Sequence, residues 1–292
     1  MKKFLKKCLV FLGIVVIVNL LFLFLLLNFA PGFKKVYEMS KFQNKDFDLI
    51  VLGNSMALDG VDANYISEKG IKTYNLAVAG NHVSTTLKLF ENYLEHNKKP
   101  KMVVVGLSSA VGKSYLNPVL YHNPEVDFFY QPNFWQNIKN PPMLNFQWLA
   151  IDMIKILLSK EHRNATMENG QWRTKKVIPD NSSFNPNRAA PKYYDNVYLH
   201  KLIKLCKKNN IKILLVEITG SKKSQNSVPF VKEYLVSKDE KITVYNLNNF
   251  KIASELINPQ TDWLAPDHLN VFGATKETQF LYEKIIQPNY TK

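Results

Sequence analysis

A serine and a histidine, far apart in the chain, have the local sequence contexts that nucleophilic catalysis requires. Ser55 lies in the run DLIVLGNSMALDG, where a short apolar segment typical of a buried strand ends in Gly53-Asn54-Ser55. Open α/β folds bind their ligands at this carboxyl edge of the sheet. His268 lies in the run APDHLNVFG, on a predicted loop directly before the last helix. A serine nucleophile needs a base within hydrogen-bond reach, and His268 is the best candidate in this chain.

The backbone around Ser55 is suited to stabilising negative charge. Gly53 lets the chain turn sharply, and the Ser55 N–H, free at the start of the next element, can donate to a developing oxyanion. In the alternative interpretation, Ser55 only caps the helix that follows. Among the other histidines, the nearest in context is His82, which follows Gly80-Asn81 at the end of another predicted strand.

Three segments, taken in order, resemble the sequence blocks of the SGNH/GDSL hydrolase superfamily. Gly53-Asn54-Ser55 is similar to the Gly-Asp-Ser turn of the first block, residues 75–80 (NLAVAG) resemble the second, and the run ending at His268 resembles the Asp-x-x-His of the last. The resemblance covers roughly residues 48–286 apart from an insertion. It implies a three-layer, flavodoxin-like α/β fold with a central parallel sheet, and it adds the N–H of Gly80 to the oxyanion donors.

The chain departs from the third block, which in this family reads Gly-x-Asn-Asp and supplies an asparagine side chain as an oxyanion donor. Here the corresponding run is Gly106-Leu107-Ser108-Ser109. Ser108 or Asn81 is therefore expected to take the place of that asparagine.

A second departure concerns the carboxylate that orients the histidine. The family keeps an aspartate three residues before its histidine, and this chain has Ala265 at that position. Asp262 and Asp267 flank it. A residue adjacent to His268 in an extended loop points away from it, so Asp262 is the better surrogate for orienting the imidazole and Asp267 the alternative.

Apolar runs of strand length alternate with helical patterns through the rest of the chain, which indicates β-α units and a parallel sheet. Their near-continuous hydrophobicity predicts burial on both faces. The predicted strands are Asp48–Leu52, Thr73–Val78, Met102–Leu107, Ile211–Ile218 and Ile242–Leu247. The predicted helices are Asp62–Lys69, Val83–His96, Lys192–Asn209, Val228–Ser237 and Gly273–Ile286.

One long segment, about residues 108–191, interrupts this alternation after the third strand. It contains no clear strand and is rich in proline and aromatic residues, and Phe146–Lys160 within it has the pattern of an amphipathic helix. Loops of this length usually form lids or binding surfaces. A small satellite core, a substrate platform and a contact with the membrane or a membrane partner all remain open.

The N-terminus predicts a membrane anchor. Residues 8–27 are apolar apart from Gly13 and Asn19, and a helix of this length spans about 30 Å, the thickness of the hydrocarbon core of a bilayer. A cleaved signal peptide is the alternative. Lysines at positions 2, 3, 6 and 7 predict a cytoplasmic tail (1–7), so that after the anchor (8–30) and a linker (31–45) the domain at 46–292 is extracytoplasmic, on a single-pass protein of the cell membrane.

Charge and composition limit the partners. The chain has 292 residues and a net charge of +14, which favours anionic lipid headgroups or anionic wall polymers. With two cysteines, one of them in the apolar segment, a disulfide scaffold is excluded. The sequence lacks the motifs of nucleic-acid recognition, metal ligation and nucleotide binding, so no nucleic-acid partner, metal or cofactor is expected.

The resemblance is greatest to membrane-anchored SGNH-like proteins that accompany membrane-bound O-acyltransferases in modifying bacterial surface polymers. Two features carry it, the ending His268–Gly273 (HLNVFG) and the single apolar N-terminal helix. It implies a serine esterase or O-acyltransferase, most simply for acetyl groups, acting on an acylated cell-surface glycan or wall polymer. The alternative is a catalytically degenerate accessory protein that partners a membrane-bound O-acyltransferase.

Overall fold

The computed structural model describes residues 1–108, 123–130, 134–139, 141–158, 166–188, 197–237 and 240–290. The helices are α1 (Lys2–Phe29), α2 (Pro31–Ser40), α3 (Ser55–Gly60), α4 (Ala63–Glu68), α5 (Val83–His96), α6 (Pro124–Tyr130), α7 (Phe134–Lys139), α8 (Pro142–Asn145), α9 (Trp148–Leu158), α10 (Val197–Lys208), α11 (Phe250–Leu256), α12 (Val271–Leu281) and α13 (Gln287–Tyr290). The strands are β1 (Leu49–Leu52), β2 (Thr73–Asn75), β3 (Met102–Leu107), β4 (Thr166–Glu168), β5 (Gln171–Arg173), β6 (Lys212–Glu217), β7 (Val231–Ser237), β8 (Glu240–Asn246), β9 (Trp263–Ala265) and β10 (His268–Leu269).

The chain divides into two compact units. The first comprises Met1–Lys41 and Pro124–Asn164, and the second comprises Phe42–Asn123 and Ala165–Lys292. The N-terminal helix therefore groups with part of the predicted insertion, while the predicted catalytic residues all belong to the second unit.

The second unit is a mixed α/β structure around a six-stranded sheet with the order β2-β1-β3-β6-β8-β7. Every neighbouring pair is parallel except β7 and β8. The central strands β1 (LIVL) and β3 (MVVVGL) are buried along their whole length, as expected of parallel strands covered on both faces. The chain reverses its winding between β1 and β3, so their carboxyl ends border the crevice where such sheets bind ligands.

Helices cover both faces of this sheet. On one face, Val104 and Val216 share a core with Ala57 of α3 and Leu281 of α12. On the other, Val103 of β3 is fully buried, α10 packs on β6, and α5 packs on α10. The predicted central parallel sheet with flanking helices is confirmed at this level.

Several predicted elements of the second unit are corrected. Residues 228–237 were expected to be helical, yet Val231–Ser237 is the antiparallel edge strand β7, in which Tyr234 and Val236 are buried by pairing with β8. The insertion was expected to lack strands, yet β4 and β5 form a short antiparallel hairpin within it. The first residues of the predicted helix Lys192–Asn209, and Ser109 of the third block, lie outside the described residues.

The first unit contains one helix, α1, that is long and apolar enough to cross a membrane by length and composition. The segment predicted as linker 31–45 is instead mostly the helix α2. It starts with a proline at its first position and buries Phe33, Val36 and Met39, which recur every three residues on one side. The predicted helix Phe146–Lys160 is present as α9, with residues 159 and 160 outside the described part.

Candidate active site

Ser55 is the first residue of α3 and follows β1 directly. The side chain of Asn54 caps this helix by accepting from the Met56 N–H at 3.1 Å. Ser55 itself is half-buried, and neither its hydroxyl nor its N–H is hydrogen-bonded within the described part of the chain. The capping role is therefore filled by Asn54, which leaves the Ser55 hydroxyl free to react.

Two glycines allow α3 to start this close to the sheet. Gly53 has a φ of +146°, and a Cβ there would lie 2.7 Å from Ala57 Cβ and 2.8 Å from the Gly106 carbonyl oxygen. A Cβ on Gly106 would lie 2.5 Å from Ala57 Cβ. Side chains at either position would push the first turn of α3, and with it Ser55, away from the sheet edge.

His268 pairs with Asp59, on the same helix as Ser55. The distance from His268 Nδ1 to Asp59 Oδ2 is 2.8 Å, and the side chains are 28% and 8% exposed. A carboxylate can only accept, so Nδ1 carries the proton and Nε2 is left as the basic nitrogen. Ser55 and Asp59 are four residues apart on α3, which places them on one helix face with roughly 5–6 Å between their Cβ atoms.

The carboxylates predicted to orient His268 are occupied elsewhere, which corrects that assignment. Asp262 is 2.7 Å from Lys276 Nζ and accepts from the Asn258 N–H. Asp267 accepts from the Ser221 N–H at 2.8 Å and from the hydroxyls of Ser221 and Ser224. Asp59 was not among the predicted partners of His268, although it lies four residues after Ser55, which is one turn of a helix that starts at Ser55.

The environment of His268 favours its protonated form. The hydrogen bond to Asp59 raises the pKa of the imidazole above its ordinary value; burial opposes this shift, and the negative charges of Asp59 and Asp267 reinforce it. Asp267, whose carboxylate is hydrogen-bonded to Ser221 and Ser224, thus contributes through its charge. His82, by contrast, has its pKa lowered by burial.

The loop after β2 presents the second predicted oxyanion donor. Gly80 has a φ of +66°, and its N–H makes no hydrogen bond within the described residues. The loop is tied to α3 by the buried side chain of Asn75, which donates to the carbonyls of Ala57 and Val61 and accepts from the Ala77 N–H. The NLAVAG segment therefore connects the Gly80 loop to the helix that carries Ser55 and Asp59.

Ser108 and Asn81 occupy different surroundings. Ser108 is buried at the end of β3, and its Oγ accepts from Asn54 Nδ2 at 2.8 Å across the ends of β1 and β3. Asn81 is buried too, and its amide donates to Thr86 Oγ1 of α5. Ser108 thus borders the Ser55 turn, whereas the Asn81 side chain braces the start of α5.

Two residues of the HLNVFG run, Asn270 and Gly273, position the hairpin that carries His268. Asn270 caps α12 by accepting from the N–H groups of Phe272 and Gly273, while its amide donates to the Thr261 carbonyl. A Cβ on Gly273 would lie 2.5 Å from the Asp262 carbonyl oxygen. Asn270 and Gly273 together hold the β9–β10 hairpin, and therefore His268, against the start of α12. Strand β10 of this hairpin also contacts α3.

A small cavity opens beside the same hairpin. It has a volume of about 210 Å³ and is lined by Ala265 and Pro266 of the hairpin, by Trp263, and by polar residues that include Ser182 and Lys223. This is smaller than the roughly 300 Å³ at which pockets for drug-sized ligands begin. Its lining includes neither Ser55 nor His268.

The arrangement combines a free serine hydroxyl, a histidine held by a buried carboxylate on the serine's own helix, and two N–H groups without partners in the described chain. Such a set can activate a hydroxyl nucleophile and stabilise an oxyanion. Comparisons with protein-family models and with curated proteins found no match for this chain.

Proposed function

We propose that this protein is a serine esterase or O-acyltransferase with an SGNH-type site, in which Ser55 is the nucleophile, His268 the base and Asp59 the carboxylate that orients it. The substrate class is an acylated cell-surface glycan or wall polymer, with acetyl as the acyl group. The hydrogen bond between His268 and Asp59, one helical turn from Ser55, carries the proposal.

The fold supports the proposed superfamily. The five parallel strands run in the order second, first, third, fourth, fifth by their place in the chain, which is the flavodoxin-like order. Its ligands bind between the first and third strands. Ser55 follows β1, and Ser108 follows β3.

The first half of the reaction forms an acyl-enzyme. Ser55 Oγ attacks the ester carbonyl carbon and its proton passes to His268 Nε2, while the carbonyl electron pair moves onto the oxygen. The N–H groups of Ser55 and Gly80 donate to this oxyanion. When the carbonyl re-forms, the bond to the leaving oxygen breaks, and that oxygen takes the proton from His268. Asp59 stays ionised throughout.

The second half releases the acyl group to an acceptor. A water molecule or a sugar hydroxyl gives its proton to His268 Nε2 and attacks the acyl carbon. The bond to Ser55 Oγ then breaks, and the serine regains the proton. Hydrolysis and transfer differ only in this acceptor, so exclusion of water from the site decides between them.

Retention of α1 as a single-pass anchor is part of the proposal. The lysines that precede the apolar run favour a cytoplasmic N-terminus, with the chain that follows α1 on the outer side of the membrane. Without the four cytoplasmic lysines, the extracytoplasmic part carries a net charge of +10, which supports a polyanionic surface as the working environment.

The test uses the full-length protein in detergent micelles with p-nitrophenyl acetate. We expect a burst of nitrophenol and an acetyl adduct, detected by intact-protein mass spectrometry and mapped to Ser55. Ser55→Ala and His268→Ala should abolish the adduct. Ser40→Ala, which removes a serine hydroxyl from α2, is the matched control and should keep it.

An adduct that survives in Ser55→Ala would refute the proposal. Absence of any adduct on folded wild-type protein would favour the alternative, a non-catalytic partner of a membrane-bound O-acyltransferase. That alternative was motivated by Ala265 in place of the family's aspartate, and Asp59 supplies a carboxylate to the histidine from another element. Candidate sugars added to acetylated protein would then separate transfer from hydrolysis.

A further inference from the structure

Two helices of the insertion expose an apolar surface. On α8 and α9, six large apolar side chains are between 45% and 78% exposed: Met143, Leu144, Trp148, Ile151, Ile154 and Leu158. Contiguous apolar surface of this kind marks a protein or membrane interaction site. Only two of the eleven residues of α9 (WLAIDMIKILL) are charged.

The opposite side of these helices packs on the apolar N-terminal helix. Phe146 and Met153 are buried in one cluster with Leu26 of α1 and Phe33 of α2. Both α8 and α9 contact α1. The C-terminal half of α1 also has exposed apolar side chains, which include Ile17 and Phe24.

A hydrogen bond sets the depth of α8 along α1. The Met143 N–H donates to Asn19 Oδ1 at 3.0 Å, while Asn19 Nδ2 donates to the Val15 carbonyl at 2.9 Å. Asn19 lies eight residues, or about 12 Å at 1.5 Å per residue, before the end of the apolar run at Leu27. The start of α8 is thus level with Asn19, within the apolar run and about 12 Å from its C-terminal end.

The start of α8 is also built without a need for water. Pro141 and Pro142 have no N–H, Asn19 accepts from Met143, and the Pro141 carbonyl accepts from Leu144 and Asn145. In lipid no water is present to satisfy backbone groups, so a helix end there must find its hydrogen-bond partners inside the protein. This arrangement also gives a structural role to Asn19, the polar residue that interrupts the apolar run, because its side chain accepts the Met143 N–H.

We propose that α8 and α9 lie in the membrane, where their exposed apolar surface contacts the acyl chains of the leaflet around the C-terminal half of α1. The inference rests on the proposed role of α1 as a membrane anchor. It adds lipid contacts by the insertion to those of the anchor, and it concerns neither Ser55 nor its chemistry.

Tryptophan fluorescence in vesicles tests this contact. The full-length protein is reconstituted into phosphatidylcholine vesicles whose acyl chains are either unlabelled or brominated, since bromine quenches tryptophan on contact. We expect brominated lipid to quench part of the emission, and Trp148→Phe to remove much of that quenched part. The chain has four tryptophans, and Trp172 is one that lies in the second unit. Trp172→Phe must therefore leave the quenched part in place.

Paired asparagine variants test the depth. Asn19 and Asn28 both donate to the carbonyl four residues earlier in α1, but only Asn19 also accepts from Met143. Asn19→Leu should shift the Trp148 emission to longer wavelength and reduce its quenching by brominated lipid. Asn28→Leu should leave both unchanged.

The outcomes separate the two proposals. Protein that fails to float with the vesicles overturns the anchor and this inference together. Protein that floats, but whose Trp148 emission is quenched by aqueous iodide and not by brominated lipid, overturns this inference alone. Quenching by neither would mean that protein covers the surface, as a second copy or a membrane partner, and would also overturn lipid contact. Acetylation of Ser55 in micelles is independent of all three results.

Discussion

Asp59 holds the proposed base with a charge as well as a hydrogen bond, and the two can be separated. Asp59→Asn keeps an acceptor oxygen near His268 Nδ1 but removes the charge and permits the wrong tautomer. The analogous change in a serine protease triad lowers turnover by roughly 10⁴-fold, and we expect a loss of about that order here. The rate of acetyl-Ser55 formation, followed by mass spectrometry, measures it.

Asp262→Asn is the matched control for this prediction. Asp262 is bonded to Lys276 and to the Asn258 N–H and not to His268. The variant should therefore keep its acetylation rate within a few-fold, at a temperature where it is folded. A large loss in Asp262→Asn together with a normal rate in Asp59→Asn would restore the sequence-based assignment.

The pH dependence of the acetylation rate provides a second test of the pairing between His268 and Asp59. His268 must be neutral to accept the serine proton, and its pKa is raised by Asp59 above the ordinary value of 6.5. The rate should therefore fall as pH drops through a midpoint above 6.5, and Asp59→Asn should move that midpoint to lower pH. A midpoint below 6.5 in the wild type would contradict the pairing, because burial alone lowers the pKa.

The carboxylate partner of His268 was harder to predict from the sequence than the candidate nucleophile and base. Ser55 and His268 were proposed because each lies at an element boundary with a recognisable local pattern. The partner of His268 depends on which helix contacts the β9–β10 hairpin, and that contact joins residues 209 positions apart. Local spacing around His268 pointed to Asp262 and Asp267, whereas the tertiary fold presents Asp59.

The close packing of α3 on β3 can be tested by adding a methyl group at residue 106, where the two elements meet. Gly106→Ala would place its Cβ 2.5 Å from Ala57 Cβ. Overpacking of this kind typically costs about 1–3 kcal/mol, and here it would also displace the turn that carries Ser55. We expect a lower thermal midpoint and a slower acetylation rate.

The double variant Ala57→Gly/Gly106→Ala removes the Ala57 methyl group, with which the methyl group added at residue 106 would clash. It should recover acetylation relative to Gly106→Ala, although glycine within α3 costs about 1 kcal/mol of helix stability. Ala57→Gly alone controls for that cost. If the double variant acetylates no faster than Gly106→Ala, contact between residues 57 and 106 does not position Ser55.

Element prediction succeeded where one periodicity dominated. The strand Met102–Leu107 and the helix Val83–His96 were placed to the residue, because one is continuously apolar and the other has a long helical repeat. Residues 231–237 carry apolar side chains compatible with either repeat, and pairing with β8 decided for a strand. In α2 the apolar residues Phe33, Val36 and Met39 alternate with polar and charged residues over only ten positions, and this short helix was missed.

The protonation of Glu277 and of His268 should make the stability of the folded protein depend on pH in the same direction. Burial raises the pKa of Glu277, which is fully buried on α12, to about 7. The pKa of His268 is raised as well. Both groups bind protons more tightly in the folded chain than in the unfolded one, so the stability that they contribute falls as pH rises. For Glu277 the fall spans pH 4.5 to about 7; for His268 it begins near 6.5 and ends above its raised pKa.

Glu277→Gln should remove the larger part of this dependence. A raise from 4.5 to about 7 corresponds to about 3 kcal/mol at 1.36 kcal/mol per pKa unit, all of it felt above pH 7. The variant should therefore unfold at a higher temperature than the wild type at pH 8 and at a similar temperature at pH 5, measured on the full-length protein in detergent. Glu283→Gln, an exposed glutamate of the same C-terminal segment, should match the wild type at both values. If Glu277→Gln were destabilised equally at pH 5 and pH 8, the Glu277 carboxyl would act only through its hydrogen bond to the Thr219 N–H, and not through its titration.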